Sequence, residues 1–235
     1  MNNGFAVAVD GPAGAGKSST TDTVAKRLGI KKINSGSMYR AVALYVLRKG
    51  VDIHDEEAVL AQLPNIEIEL TDEDVFLNGE NVITEIRNPV VDAVVPITSE
   101  YLPLRKKMVA KQREYAKTTE VLMEGRDIGY EVFPDAPVRI YLHASAKERA
   151  NRRYKQNIAN GMAADYEQIL NKINERDMQD QSRKHGRLLT LEDALAKGYI
   201  EVDSSNMSEE ETVNAIIAHI NAARRKQCFI DSQEG

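Results

Sequence analysis

A single cysteine, Cys228, is present among 235 residues. One thiol excludes an internal disulfide and a cysteine metal site, and it fits a reducing cytoplasm. Long apolar runs are also missing: none approaches the ~20 residues that span a bilayer, so no membrane partner is expected. Residues 1–3 are polar, and the apolar run 5–9 leads straight into a glycine-rich turn, which reads as a buried strand rather than a signal peptide. Positive charge is not in excess. With 31 Lys and Arg against 36 Asp and Glu, the net charge of −5 argues against binding a nucleic acid backbone, although a small anion could still be held in a local basic cleft. There is no internal repeat or low-complexity tract. The length suits one α/β core with a small insertion.

What is present is an alternation of apolar strands and helices. Strands are expected at residues 5–10, 30–33, 121–124, 138–143 and 200–203. Helices are expected at 17–28, 38–49, 103–117, 146–157, 166–180 and 208–225, with Ser35 as a candidate cap for the second and Gly161 at the turn between the fourth and fifth. Alternation of this kind predicts an open, mostly parallel sheet. Between residues 50 and 98 the texture changes to short strands at 65–70, 74–77 and 81–83, and Asn78-Gly79 signals a hairpin. This stretch reads as an inserted α+β subdomain. The core is therefore expected at 1–49 and 99–226, with a helical lid at about 150–185 and a loose tail at 227–235.

Gly11-Pro12-Ala13-Gly14-Ala15-Gly16-Lys17-Ser18 matches G-x-x-x-x-G-K-[ST] at every fixed position, between a predicted strand and a predicted helix. Glycines let backbone N–H groups turn inward around phosphate oxygens, and the helix start adds its positive dipole end. Lys17 is expected on the β- and γ-phosphates, Ser18 on Mg²⁺, Ser19 beside them, and Asp10 on the metal or the loop through water. The motif alone does not separate ATPases, GTPases and small-molecule kinases.

A guanine-reading Asn-Lys-x-Asp segment is lacking, which argues against a GTPase. No apolar strand ends cleanly in a metal-binding Asp: residues 121–123 run into Glu124 and 138–142 into His143. What the chain offers instead is arginine. Arg176, Asp180 and Arg183 share one helix face, and Arg149, Arg152 and Arg153 share another. Such a pair of helices suits a phosphate-covering lid, because arginine keeps its charge and donates in a planar fork. A solvated face with ordinary i,i+4 ion pairs fits the same spacing.

Taken in order, Val9 through Ser18, Ser35-Gly36-Ser37-Met38-Tyr39-Arg40, Val75-Phe76-Leu77-Asn78-Gly79, Glu85-Ile86-Arg87, Glu124-Gly125-Arg126-Asp127-Ile128-Gly129, Val132-Phe133-Pro134-Asp135-Ala136, Glu148-Arg149-Ala150 and the stretch 176–183 resemble the bacterial cytidylate kinase family over nearly the whole chain. The resemblance implies a P-loop NTPase three-layer fold with a helical lid and an enlarged monophosphate-binding insert. It implies ATP and Mg²⁺ with CMP or dCMP as acceptor, and a monomer is expected. Ser35, Arg40, Arg105, Arg126, Asp127, Arg176 and Asp180 would then contact the acceptor, with Ser35 at the cytosine, Arg40 and Arg105 on the phosphate and Asp127 on the sugar hydroxyls. Lys17, Arg126, Arg153, Arg176 and Arg183 would serve the transferring phosphoryl group.

An acceptor phosphate is mostly dianionic at neutral pH, its second pKa being ~6, so it needs no general base. That agrees with four histidines (His54, His143, His185, His219) in no catalytic arrangement. The sequence departs from the family in three places. Pro96 stands where a serine is usual in the cytosine pocket, and Glu124 stands where Asp is usual. Residues 184–191 replace a proline-rich segment, with extra residues at about 195–199. Two alternatives stay open: a kinase with another acceptor, such as UMP or a small molecule, and a non-catalytic nucleotide-binding regulatory protein.

Overall fold

The computed structural model describes residues 5–71 and 74–231. Residues 1–3 and 232–235, on which the expectations for the N-terminus and the end of the tail fall, lie outside the described residues.

Strand β1 (Ala6–Asp10) is buried along its whole length, as its unbroken apolar run requires for a central parallel strand. It pairs in parallel with β6 (Val121–Gly125) on one side and β7 (Val138–His143) on the other. β2 (Lys31–Asn34) and β8 (Ile200–Asp203) complete a five-stranded parallel sheet in the order β2-β6-β1-β7-β8. The chain departs from β1 in two directions, so a crevice opens beyond the carboxyl ends of β1, β6 and β7. In register, Asp10 sits opposite Gly125 and Tyr141, and Asn34 opposite Glu124. These paired positions form the floor of that crevice.

Helices cover both faces. On one face α1 (Lys17–Leu28) and α9 (Glu209–Asp231) cover Val7, Val9, Ile140 and Leu142 through Val24, Val213, Ile216 and Ile220. On the other, α2 (Ser35–Arg48) and α5 (Leu102–Tyr115) pack Met38, Val42, Leu104 and Met108 against Ala8, Ile33 and Met123. The insertion holds α3 (Glu56–Leu60), a small antiparallel sheet of β3 (Ile68–Leu70), β4 (Val75–Leu77) and β5 (Glu80–Asn81), and α4 (Pro89–Thr98). Its Ile68, Leu77, Ile86 and Val91 belong to the same buried cluster as α2, so the insertion shares the core of the main body. Asn78 and Gly79 both have positive φ, 51° and 81°, as the hairpin between β4 and β5 demands.

The region expected as a lid folds as two packed helices, α6 (Ala146–Ala159) and α7 (Tyr166–Ser182), followed by the short α8 (Leu191–Ala196). Several details correct the sequence reading. The cap of α2 is Asn34, whose side chain accepts from the Ser37 N–H; Ser35 is already inside the helix and its hydroxyl turns to the Glu124 carbonyl oxygen, 2.8 Å away. Neither α4 nor α8 was legible. The apolar run of α4 shows strand-like β-branched residues, but Asn88 caps it, Pro89 starts it, and burial against α2 outweighs propensity. Finally, α9 continues to Asp231, so residues 227–231 are helix and not loose tail.

Candidate active site

A cleft of about 620 Å³ lies beyond the carboxyl ends of β1 and β6, ample for two nucleotides' phosphates. Its first wall is the turn between β1 and α1. Gly14 and Gly16 take φ of 76° and 85° and line the cleft, the left-handed backbone with which such turns present N–H groups to an anion. Gly11 admits no side chain, since a Cβ there would lie 1.9 Å from the Leu142 carbonyl oxygen. Lys17 is buried and its Nζ donates to the carbonyls of Gly11 and Pro12 at 2.8 and 2.7 Å. Burial pushes its ammonium down to about 7, and the Arg126 charge adds to this against Glu124, Asp10 and Asp180. A buried cation of this kind gains an incoming polyanion as partner. Ser18 and Ser19 begin α1 at the exposed mouth of the turn, with the Ser19 hydroxyl turned to the Gly16 carbonyl.

The floor supplies a residue that sequence reasoning left as a mere strand end. Glu124 is 3% exposed, and its Oε2 accepts from the Ser18 hydroxyl at 3.0 Å. Its Oε1 accepts from Asn34 at 3.0 Å and lies 3.2 Å from the Lys32 ammonium. The signal was an apolar strand ending in an acid, discounted because that acid is Glu rather than Asp. Asp10 is turned to the segment after β6. Both its oxygens are taken, Oδ1 by the Ile128 N–H and Oδ2 by the Gly129 N–H and the Tyr199 hydroxyl. It therefore holds the turn after β6.

The opposite wall is arginine. Asp180, wholly buried, gathers three guanidiniums, two from its own helix and its cap and one from the segment after β6. Arg126 donates to its Oδ2 at 2.8 Å, Arg176 lies 3.2 Å from Oδ1, and Arg183 lies 2.7 Å from Oδ1 as an ion pair, not an aligned hydrogen bond. Burial alone would raise the Asp180 carboxyl, but the Arg126, Arg183 and Arg176 charges outweigh it and hold the group below its ordinary range. Asp180, expected at the acceptor, is here the shared partner of the three arginines. Arg149 links the two walls. Its Nη1 donates to the Ala13 carbonyl at 2.9 Å and its fork grips Asp177 on α7, a role the sequence left open. Arg153 is exposed at the rim and reaches only Gln156, at 3.1 Å, within its own helix.

The third side faces the insertion. Arg40 donates to the Ile86 carbonyl at 3.0 Å and pairs with Asp92. Arg105 is buried, not part of a basic surface; it pairs with Asp127, donates to the Ser99 carbonyl at 3.0 Å and stacks over Tyr39. Burial raises the Asp127 carboxyl to about 6, partly offset by Arg105. Ser35, Arg40, Arg105, Arg126, Asp127, Arg153, Arg176 and Arg183 all line the cleft that the glycine turn opens into, while no histidine of the described residues does. The solvated-face reading does not hold for Arg183, which is buried onto Asp180, while Arg176 makes the i,i+4 ion pair that reading anticipates, a third exposed and lining the cleft.

The arrangement can hold two anionic ends between backbone amides on one side and fixed guanidiniums on the other. Comparison with known sequences bears on which anions. The sequence model of the family described as cytidylate kinase matches residues 7–222. A cytidylate kinase of Geobacillus sp. (strain WCH70) is 41% identical, over 94% of this chain and 98% of the relative. One of Pelotomaculum thermopropionicum (strain DSM 13744 / JCM 10971 / SI) is 42% identical, over 96% of this chain and all of the relative. Since the likeness takes in the glycine turn, the insertion and the arginine-bearing lid alike, the chain belongs to the cytidylate kinase family.

Proposed function

We propose that this protein is a nucleoside monophosphate kinase that transfers the γ-phosphoryl group of ATP to CMP or dCMP, giving ADP and CDP or dCDP. The observation that carries the reading is the cluster at Asp180. Arginines from the connection between β6 and β7, from α7 and from its C-terminal cap are locked on one carboxylate facing the glycine turn across a single cleft. In the reaction an acceptor phosphate oxygen bonds to the γ-phosphorus while the bond to the β–γ bridging oxygen breaks and its electrons leave with ADP. No proton must move for the attack, which suits a cleft without a general base. What remains is charge. Lys17 exchanges its two carbonyl partners for phosphate oxygens, and Arg126, Arg176 and Arg183 neutralise the equatorial oxygens from the other side.

Mg²⁺ fits the donor set beside the turn. The Ser18 hydroxyl and the Glu124 carboxylate, 3.0 Å apart, are hard oxygen donors of the kind Mg²⁺ takes. The described residues hold no cluster of three or more His, Cys, Asp or Glu, so nucleotide phosphates and water would fill its other positions. When bound it supplies charge neutralisation at the β- and γ-phosphates. On the acceptor side, Arg40 and Arg105 would take the CMP phosphate, Asp127 the sugar hydroxyls, and Ser35 the cytosine. The Ser35 hydroxyl donates its proton to the Glu124 carbonyl oxygen, which leaves its lone pairs to accept from an exocyclic amino group. Pro96 sits inside α4 and has no donor, so cytosine reading rests on other groups. The same reading places the enzyme in the cytoplasm as a monomer with no nucleic acid partner; no helix of the described residues is long and apolar enough to cross a membrane.

Release of ADP measured with CMP, dCMP, UMP and AMP as acceptors tests this. CMP or dCMP should exceed UMP by ~10²-fold in kcat/KM, because a pocket that accepts from an amino group meets an unpaired carbonyl in uracil. Equal turnover of UMP would point to the other-acceptor kinase, and ADP release independent of any acceptor to an ATPase or switch protein.

A further inference from the structure

The segment after α7 is strapped across the carboxyl end of the sheet. The Leu188 N–H donates to the Asp180 carbonyl at 2.8 Å, the Tyr130 hydroxyl to the Arg187 carbonyl at 2.5 Å, and the Tyr141 hydroxyl to the Leu189 carbonyl at 2.7 Å. Leu188, Leu189 and Ala194 bury themselves against Tyr141 and Tyr199. The short helix α8 and the turn after it thus deliver Tyr199, 5% exposed, beneath the turn that follows β6.

There the Tyr199 hydroxyl donates to Asp10 Oδ2 at 2.7 Å. That same oxygen accepts the Gly129 N–H at 2.7 Å, and Oδ1 accepts the Ile128 N–H at 2.9 Å. These two amides follow directly on Arg126 and Asp127, which line the cleft. The approach is so close that a Cβ on residue 129 would lie 2.6 Å from the Tyr199 hydroxyl; only glycine fits. A wholly buried carboxylate depends on its donors, and Tyr199 is one of three. Burial beside Asp10 pushes the phenol far up from its ordinary range, so it stays a donor at working pH.

We propose that Tyr199 is a positioning residue for phosphoryl transfer: its hydroxyl completes the donor set of Asp10, which in turn holds the turn that aims Arg126 and Asp127 into the cleft. This rests on the reading of that turn as the acceptor side of a CMP kinase. A purely structural Tyr199 would need its ring and not its oxygen.

The test compares Tyr199→Phe with Tyr141→Phe, which removes a buried hydroxyl from the other end of the same strap without touching Asp10. Two quantities are read: KM for CMP and for ATP with kcat, and amide hydrogen exchange at Ile128 and Gly129. Tyr199→Phe should speed exchange at both amides by ~10-fold, the loss expected for one hydrogen bond to a buried charge. It should raise KM for CMP by ~3- to 10-fold and leave KM for ATP within ~2-fold, while Tyr141→Phe leaves both amides and the CMP KM near wild type. Unchanged amide exchange in Tyr199→Phe, or the same CMP effect in Tyr141→Phe, would overturn the proposal. Should the wild type fail to phosphorylate CMP, the kinase reading falls, and amide exchange still decides whether Tyr199 holds the turn.

Discussion

Replacing Asp180 by Asn keeps the shape of the side chain and removes the one charge that three arginines share. The consequence follows from the geometry. Arg126, Arg176 and Arg183 lie within 3.2 Å of a carboxylate that water does not reach. Removing one partner of a buried charge cluster costs ~3–5 kcal/mol, because the remaining charges are left uncompensated. Side-chain exposures of 22% for Arg126 and 33% for Arg176, against 7% for Arg183, let solvent relieve part of this, so the low end, ~3 kcal/mol, is expected. For a chain of this size that is a fall in Tm of about 6–12 °C. The pH dependence has a definite sign. A carboxyl held below its ordinary 3.8 contributes stability above that pH and loses it as the pH falls through the lower folded value, so wild type and Asp180→Asn should converge only below pH 3.8. Activity should fall by ~10²-fold or more in kcat, since the guanidiniums lose their common anchor, while ATP still binds because its phosphates substitute for the missing anion. Urea unfolding with and without ADP and CMP, beside steady-state kinetics, measures all of this. A ligand-free variant within ~1 kcal/mol of wild type would refute the claim that Asp180 is the keystone of the arginine wall.

Three further changes test the remaining walls. Lys17→Ala should lower kcat by at least ~100-fold, as loss of transition-state charge neutralisation predicts. In wild type, Lys17 titrates at about 7 without ligand and must be protonated to hold a triphosphate, so ATP affinity should weaken as the pH rises above 7; calorimetry in buffers of different ionisation heat should show proton uptake on binding, absent in Lys17→Ala. Arg40→Ala should raise KM for CMP and leave KM for ATP nearly unchanged; a matching rise in both would remove Arg40 from the acceptor side. Glu124→Gln should shift the Mg²⁺ dependence of turnover to higher concentration and lower kcat by ~10²-fold, and an unaltered Mg²⁺ titration would leave Glu124 a purely structural partner of Ser18, Asn34 and Lys32.

Much of this molecule was written in local pattern. The eight-residue glycine motif carries its own geometry, because positive φ at Gly14 and Gly16 and the start of α1 follow from residue types within one turn. The parallel sheet followed from apolar strands alternating with helices, and the hairpin from Asn78-Gly79. Where helices and strands failed to be read, competing local signals were at fault. The β-branched residues of α4 favour a strand by propensity, and only their burial against α2 makes them a helix.

Sequence by itself determined the glycine turn between β1 and α1, that arginines would be many, and which elements would carry them, since each of these depends on neighbours within a few residues. Only tertiary structure decided what each charge faces. That Asp10 accepts from Ile128, Gly129 and Tyr199, that Glu124 reaches Ser18, and that Arg126 joins the local pairs of Arg176 and Arg183 on Asp180 are matters of groups brought together from distant parts of the chain. The energy of a buried charge is set by those few ångströms of separation and by the exclusion of water, neither of which is encoded in spacing along the chain.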